Sequence, residues 1–400
     1  MPKPEILLLT IRGKDAPGIT AKLTSIIAKD RRVKILDIEQ TVVHKKLLLS
    51  ILLAYPGKNS DKSPLLKELL FAGKEIGVEV NFEIFEPGLL GEETPRHQYV
   101  ITCLAEEVGA HPLSQIARAL ARRGMNIDKI SKLALKNIHA IELIAHAKRP
   151  LNPKKLSKEL LGLSNEIGVD IAIQKHDLLR RAKRLVVMDM DSTLIQTEIM
   201  DALAKRNGTF KKVSRLTDLA MNGEISFARS LKKRVGYLKG LSVKDLDRVY
   251  KRIRLTPGAA KLLKVLRHLG FKTALISGGF TYFTDRLKNA LGFDYTFANQ
   301  LEMRDGKATG RVAGTIIDAK RKALILETLA QGEKISLDQT IAIGDGANDI
   351  PMLTKAGLGI AFKAKPVVQA KAHYRLSKQP RLDSILYLLG ISEREIKSLR

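Results

Sequence analysis

Asp189-Met-Asp191-Ser-Thr193 follows directly on the apolar run Leu185–Met188, and Gly344-Asp345-Gly-Ala-Asn348-Asp349 follows a second apolar run, Thr340–Ile343. A strand that ends in two carboxylates on alternate residues, paired with another that ends in more, gathers oxygen ligands for a divalent cation. One carboxylate of the first pair is then free to attack a phosphorus atom. The chemistry that fits is phosphoryl transfer through an aspartyl-phosphate. Taken singly, Asp-x-Asp after a strand is usually a loop acid and Gly-Asp-Gly usually a turn.

The elements that must position these residues begin at Leu185. Apolar strand runs (Leu185–Met188, Thr273–Ile276, Thr340–Ile343, Leu358–Ala361) alternate with helices, as in a parallel sheet covered on both faces. Between Glu198 and Arg254 lies a helical, Lys/Arg-rich stretch with no strand run. An insertion after the first strand's loop stands over the carboxyl edge of the sheet, where open α/β folds bind ligands, so residues 199–254 read as a cap.

The first 180 residues read as one unit used twice. The first copy runs strand Ile6–Ile11, helix Pro17–Lys29, strands Lys34–Val43 and Leu47–Tyr55, helix Ser63–Ile76 and strand Val78–Phe85. The second runs strand Tyr99–Leu104, helix Pro112–Arg123, strands Asn126–Leu135 and Ala140–Ala147, helix Pro153–Ile167 and strand Val169–Gln174. Each is βαββαβ, a ferredoxin-like sandwich. The expected domains are 1–88, 96–178 and a Rossmann-like α/β domain over 182–400, with the turn-rich segment Glu86–Pro95 linking the first two.

Composition narrows the function classes. A hydrophobic share of 44% is ordinary for a globular protein, and no apolar run is long enough for a membrane span or signal-peptide core. The single cysteine, Cys103, sits in a strand-like run and allows neither a disulfide framework nor a thiolate metal site. The eight histidines show no metal-ligand spacing. A cytosolic chain is expected. The net charge of +27 is uneven, with 28 Lys+Arg against 21 Asp+Glu in residues 1–180 and 41 against 21 in residues 181–400. Such a surface can steer small anions or simply be solvated. With no nucleic-acid motif and no Lys/Arg run longer than three, nucleic acid is not the expected partner.

Four motifs in order, Asp189–Thr193, Ser277-Gly278-Gly279-Phe280, Lys322 and Gly344–Asp349, resemble those of the haloacid-dehalogenase-like phosphatases. Within that superfamily, Asp-x-Asp-Ser-Thr-Leu followed by Glu198, together with Ser226–Val235, closely resembles the phosphoserine phosphatases, and the likeness covers about residues 184–389. The resemblance implies Asp189 as nucleophile and Asp191 as the acid that protonates the leaving seryl oxygen and then the base for water. It implies Mg²⁺ held by the Asp189 carboxylate, the Asp191 carbonyl and the Asp345 carboxylate, with Asp349 supporting Lys322 and Asn348 helping to hold the site. Ser277, the Gly278 amide beside Gly279, and Lys322 would bind the phosphoryl oxygens. Lys320 and Arg321 are adjacent cations, but Lys322 has the family's spacing to Gly344. Glu198 would take the substrate's ammonium, Arg234 its carboxylate, and Phe227 would match an aromatic lid position. The plainer readings are a helix-start acid for Glu198, a solvated cation for Arg234 and a core aromatic for Phe227.

In the first half, Gly13-Lys-Asp15-Ala-Pro17-Gly18-Ile-Thr20 resembles the ligand loop of ACT domains, which sense amino acids. Asp15 and Gly18 would then belong to an L-serine effector site, and a homodimer is implied. The same loop can equally be a helix start set by proline. The second copy, Glu106–Pro112, keeps a Gly and a Pro but lacks the full pattern. The implied reaction is Mg²⁺-dependent hydrolysis of O-phospho-L-serine, the last step of serine synthesis. Another small phosphate such as phosphothreonine, a non-catalytic amino-acid sensor and a nucleic-acid binder are the alternatives.

Overall fold

The computed structural model describes residues 4–56, 60, 63–85, 97–134, 138–221, 224–378 and 381–399. The expected linker Glu86–Pro95 lies outside the described residues. The chain divides into two compact units, Met1–Thr94 and Pro95–Arg400.

The first unit is β1 (Glu5–Lys14), α1 (Ile19–Ile27), β2 (Lys34–Val43), β3 (Lys46–Tyr55), α2 (Pro64–Ile76) and β4 (Val78–Phe85). Its antiparallel sheet has the order β2-β3-β1-β4. Alternate residues Leu7, Leu9 and Ile11 on β1 and Leu47, Leu49, Ile51 and Leu53 on β3 are buried, as the two-residue period of a strand with one covered face demands. The edge strand β2 is exposed along its whole length, including Ile35, Ile38 and Val42.

The second unit opens with the same plan: β5 (His97–Ala105), α3 (Ala110–Ala121), β6 (Met125–Ala134), β7 (His139–Ala147), α4 (Pro153–Ile167) and β8 (Asp170–Lys175), in the order β6-β7-β5-β8. A short α5 (Leu178–Arg181) then leads to β9 (Leu185–Met188). The cap comprises α6 (Ile199–Arg206), α7 (Phe210–Met221), α8 (Phe227–Gly236) and α9 (Val243–Tyr250). Then follow α10 (Ala259–His268), β10 (Lys272–Phe280), α11 (Thr281–Leu291), β11 (Tyr295–Arg304), β12 (Lys307–Ala313), α12 (Ala319–Gly332), β13 (Thr340–Gly344), α13 (Ile350–Lys355) and β14 (Leu358–Phe362). The chain ends in α14 (Pro366–Gln369), β15 (Tyr374–Leu376), α15 (Ile385–Leu388) and α16 (Glu393–Ser398).

The seven-stranded sheet has the order β12-β11-β10-β9-β13-β14-β15, parallel except for β12. The hairpin β11–β12 departs from the purely parallel expectation. Its turn, Asp305-Gly306, has φ of 49° and 71°, the left-handed pair that two-residue hairpins require. The hairpin also anchors the cap, because Gly240 and Val243 donate their N–H groups to Ala308 O and Gly306 O at 2.9 and 3.0 Å.

The second sandwich shares a core with the seven-stranded sheet. Leu104, Ala140 and Ala172 belong to the same apolar cluster as Leu386 and Leu388. Polar groups seal the seam. Arg180 pairs with Glu142, both buried, and reaches Leu388 O, while Gln174 donates to Leu388 O at 2.8 Å. Tyr374 donates to Ile173 O, and Asp170 accepts from the N–H groups of Ser377 and Lys378. Removing one partner of a buried ion pair leaves an uncompensated charge, worth about 3–5 kcal/mol. Glu142→Ala should therefore lower the stability of the Pro95–Arg400 unit by roughly that amount, read as a fall in the urea midpoint. A change below about 1 kcal/mol would mean that water reaches Arg180.

Candidate active site

The register of the sheet brings the motifs together. Met188 pairs with Leu275 on one side and Ile343 on the other, so Asp189, Ser277 and Asp345 leave three neighbouring parallel strands at the same edge. After Asp189 the chain folds back sharply, and Ile195 N donates to Met190 O at 3.0 Å. The cap leaves and rejoins beside that turn through Gln196 N to Arg254 O, 2.9 Å, and the bridge Ile195–Leu255.

Lys322 lies at the centre, fully buried. Its Nζ is 2.7 Å from Asp189 Oδ1 and 2.8 Å from Asp349 Oδ1. Its neighbour Lys320 is exposed and Arg321 half-buried. Burial works against the ammonium charge, but Asp189 and Asp349 outweigh it and raise the lysine pKa above its ordinary value. Asp318 caps α12 by accepting from Arg321 N at 2.8 Å, which sets the N-cap four residues before Lys322.

The carboxylates of Asp189, Asp345 and Asp349 offer oxygens within 4.8 Å of one another. Asp349 also accepts from Gly346 N at 3.0 Å, and Asp345 accepts from Thr193 Oγ1 at 3.0 Å. Burial, with Asp349 nearby, pushes Asp345 up to about 7. Burial and Asp349 likewise raise Asp189, against the pull of Lys322. Three carboxylates against one ammonium leave an excess of negative charge, and an all-oxygen donor set suits a hard divalent cation.

Asp191 has different surroundings. Its Oδ1 faces the N–H of Ile199 at 3.4 Å, and burial, then Glu198 and Asp189, raise its pKa well above the usual carboxylate range. Ser277 is fully buried and accepts from Gly279 N at 2.9 Å. A β-carbon on Gly279 would stand 3.6 Å from Asp191 Oδ2, and one on Gly278 would meet Phe227 Cζ at 3.3 Å. Phe227 packs against the core with its ring edge beside Gly278. Arg234 sits 5.9 Å from the Phe227 ring and donates to Thr217 Oγ1 at 3.3 Å. Its buried Nε has no hydrogen-bond partner among the described residues, and Asp201, Glu198 and Asp191 lie within its electrostatic reach. Asn348 is half-buried, its Oδ1 against Gly346. Asp15 and Gly18 lie in the other unit, both exposed, with Gly18 at the N-cap of α1 and φ of 90°.

Two positioning groups escaped the sequence reading. Asn299, fully buried on β11, donates to Gly278 O and accepts from Ile317 N, both at 2.8 Å. It ties the glycine loop to the segment that leads into α12. Thr193 holds Asp345, and Thr256 in turn donates to Thr193 O at 2.7 Å. The Asp305-Gly306 turn signal would have placed the strand carrying Asn299.

The comparisons agree with this architecture. Residues 186–354 match the haloacid dehalogenase-like hydrolase family, and residues 5–83 and 97–174 each match an ACT domain family. Along 394 residues the chain is 41% identical to a phosphoserine phosphatase of Streptomyces coelicolor, covering 98% of this chain and 94% of that one. It is 37% identical to phosphoserine phosphatase SerB2 of Mycobacterium tuberculosis over 399 residues, 100% and 96% of the two chains. The crystal structure of a probable phosphoserine phosphatase from Vibrio cholerae superposes with a TM-score of 0.60 at 31% identity, over 78% of this chain and 91% of that one. Among the described residues no helix is long and apolar enough to cross a membrane. The chain belongs to the phosphoserine phosphatase family, haloacid dehalogenase-like hydrolases that here carry two ACT domains before the catalytic domain.

Proposed function

We propose that the protein hydrolyses O-phospho-L-serine to L-serine and phosphate, with Mg²⁺, through a phosphorylated Asp189. The observation that carries this is the division of labour between two carboxylates two residues apart. Asp189 lies against Lys322, whereas Asp191 lies against Ile199 N under a cap that brings Arg234 near it.

Ser277 Oγ, the Gly278 amide and Lys322 Nζ bind the phosphoryl oxygens and hold the phosphorus in line with Asp189. An Asp189 oxygen attacks phosphorus as the bond from phosphorus to the seryl oxygen breaks. Asp191 gives that oxygen its proton, and burial beside Glu198 and Asp189 favours the protonated form of its carboxyl. Serine leaves. Asp191 then takes a proton from water, the water oxygen attacks phosphorus, and the bond to Asp189 breaks to release phosphate. Asp189, the Asp191 carbonyl and Asp345 would hold Mg²⁺, which supplies positive charge against the phosphoryl oxygens, while Asp349 steadies Lys322. Glu198 receives the substrate ammonium, Arg234 its carboxylate, and Phe227 closes over the ester. This is the final step of serine formation, in the cytoplasm.

The exposed edge strand β2 supports pairing of two copies through the first ACT domain, with L-serine as effector near Asp15 and Gly18.

Three outcomes are expected. Asp345 has its ordinary carboxylate value when unfolded and about 7 when folded, so metal-free protein loses stability as pH rises between them. A cation that binds the ionised site reverses this, so the Tm gain from Mg²⁺ should be larger near pH 8 than near pH 5.5. Equal gains would contradict the carboxylate assignment. In a phosphate-release panel of phosphoserine, phosphothreonine and sugar phosphates, phosphoserine should give the highest kcat/KM, and Asp189→Asn should lower its kcat by about 10³-fold or more. Unchanged activity in that variant, or turnover only of the other esters, would overturn the reading. Adding L-serine to the same assay should change the rate or bind the first ACT domain, and neither effect would remove the effector role.

A further inference from the structure

Ser192 has a backbone φ of 53°, the left-handed region that a β-carbon makes unfavourable and that glycine adopts freely. What serine adds over glycine at this turn is a hydroxyl, and that hydroxyl is used. Ser192 Oγ donates to Glu198 Oε1 at 2.6 Å.

Glu198 is the N-cap residue of α6, the place where a polar side chain ordinarily bonds the free N–H groups of its own helix. Its carboxylate makes no such bond. Asp191 receives Ile199 N instead, and the Glu198 side chain crosses the turn to Ser192. The plain role of a helix-start acid is thus taken by another residue. An exposed glutamate otherwise samples several rotamers, and ordering one on binding costs affinity.

We infer that Ser192 is a positioning residue for substrate specificity, holding the Glu198 carboxylate where it meets a substrate's ammonium group. The inference rests on the reading of Glu198 under the proposed function. It requires that loss of the hydroxyl be felt by substrates that carry an ammonium and not by those that lack it.

The test uses the full-length enzyme with Mg²⁺ and two esters, O-phospho-L-serine and 3-phosphonooxypropionate, which has hydrogen in place of the ammonium. Two variants remove the hydroxyl: Ser192→Ala keeps the β-carbon, and Ser192→Gly also relieves the left-handed conformation, so the fold is not endangered. Both variants should raise KM for phosphoserine about fivefold, the scale of one exposed hydrogen bond, with kcat within about twofold. KM for the propionate ester should not move. Equal shifts for the two esters, a loss confined to kcat, or a wild-type KM in Ser192→Gly would overturn the inference while leaving the proposed activity intact. Wild-type enzyme inactive on phosphoserine would overturn both.

Discussion

Lys322 is an ammonium with no access to water, and taking such a charge out of water costs far more than a single hydrogen bond returns. It is tolerable only because Asp189 and Asp349 stand at 2.7 and 2.8 Å. Those distances in turn require that β9 and β13 end in register, that α12 start at its Asp318 cap, and that Asn299 hold the approach to that helix. Three carboxylates, Asp189, Asp345 and Asp349, gather around the one lysine with oxygens within 4.8 Å of one another. The oxygens that could hold a divalent cation are therefore gathered by the same constraint that fixes the lysine.

Position at the sheet edge gives the two aspartates different surroundings. Asp189 continues β9 and meets the cluster, whereas Asp191 lies past the fold-back and faces the start of the cap. Burial raises both carboxyls, but Asp189 has the Lys322 ammonium against it whereas Asp191 has Glu198 beside it. The cap is fixed to the β11–β12 hairpin at one end and to the Gln196–Arg254 neck at the other. Phe227 thus comes to the glycine loop on a defined base, with Arg234 5.9 Å from its ring.

Much of this was legible in the chain. Three of the four motifs could be read because each lies at the end of an apolar strand run, and strand ends in a parallel sheet share one edge, whereas Lys322 lies inside α12. The two sandwiches could be read from alternating Leu and Ile residues such as Leu47, Leu49, Ile51 and Leu53. The hairpin was not read, because Tyr295–Arg304 is half-exposed and lacks a clean period, although Asp305-Gly306 marked its turn. Asn299 stayed hidden with it. The join of the second ACT domain to the catalytic sheet was illegible for another reason. Tyr374 and Ile173 are 201 residues apart, and no local pattern announces so distant a buried bond.

The central claim is that Asp189 carries the phosphoryl group during turnover. The direct measurement is to quench the Mg²⁺-loaded enzyme in acid during hydrolysis of ³²P-labelled phosphoserine and locate the label by peptide mapping. The account predicts an acid-stable, hydroxylamine-labile phosphate on the peptide that holds Asp189. Label on Ser192 or Ser277, or turnover with no label on the protein at all, would contradict it.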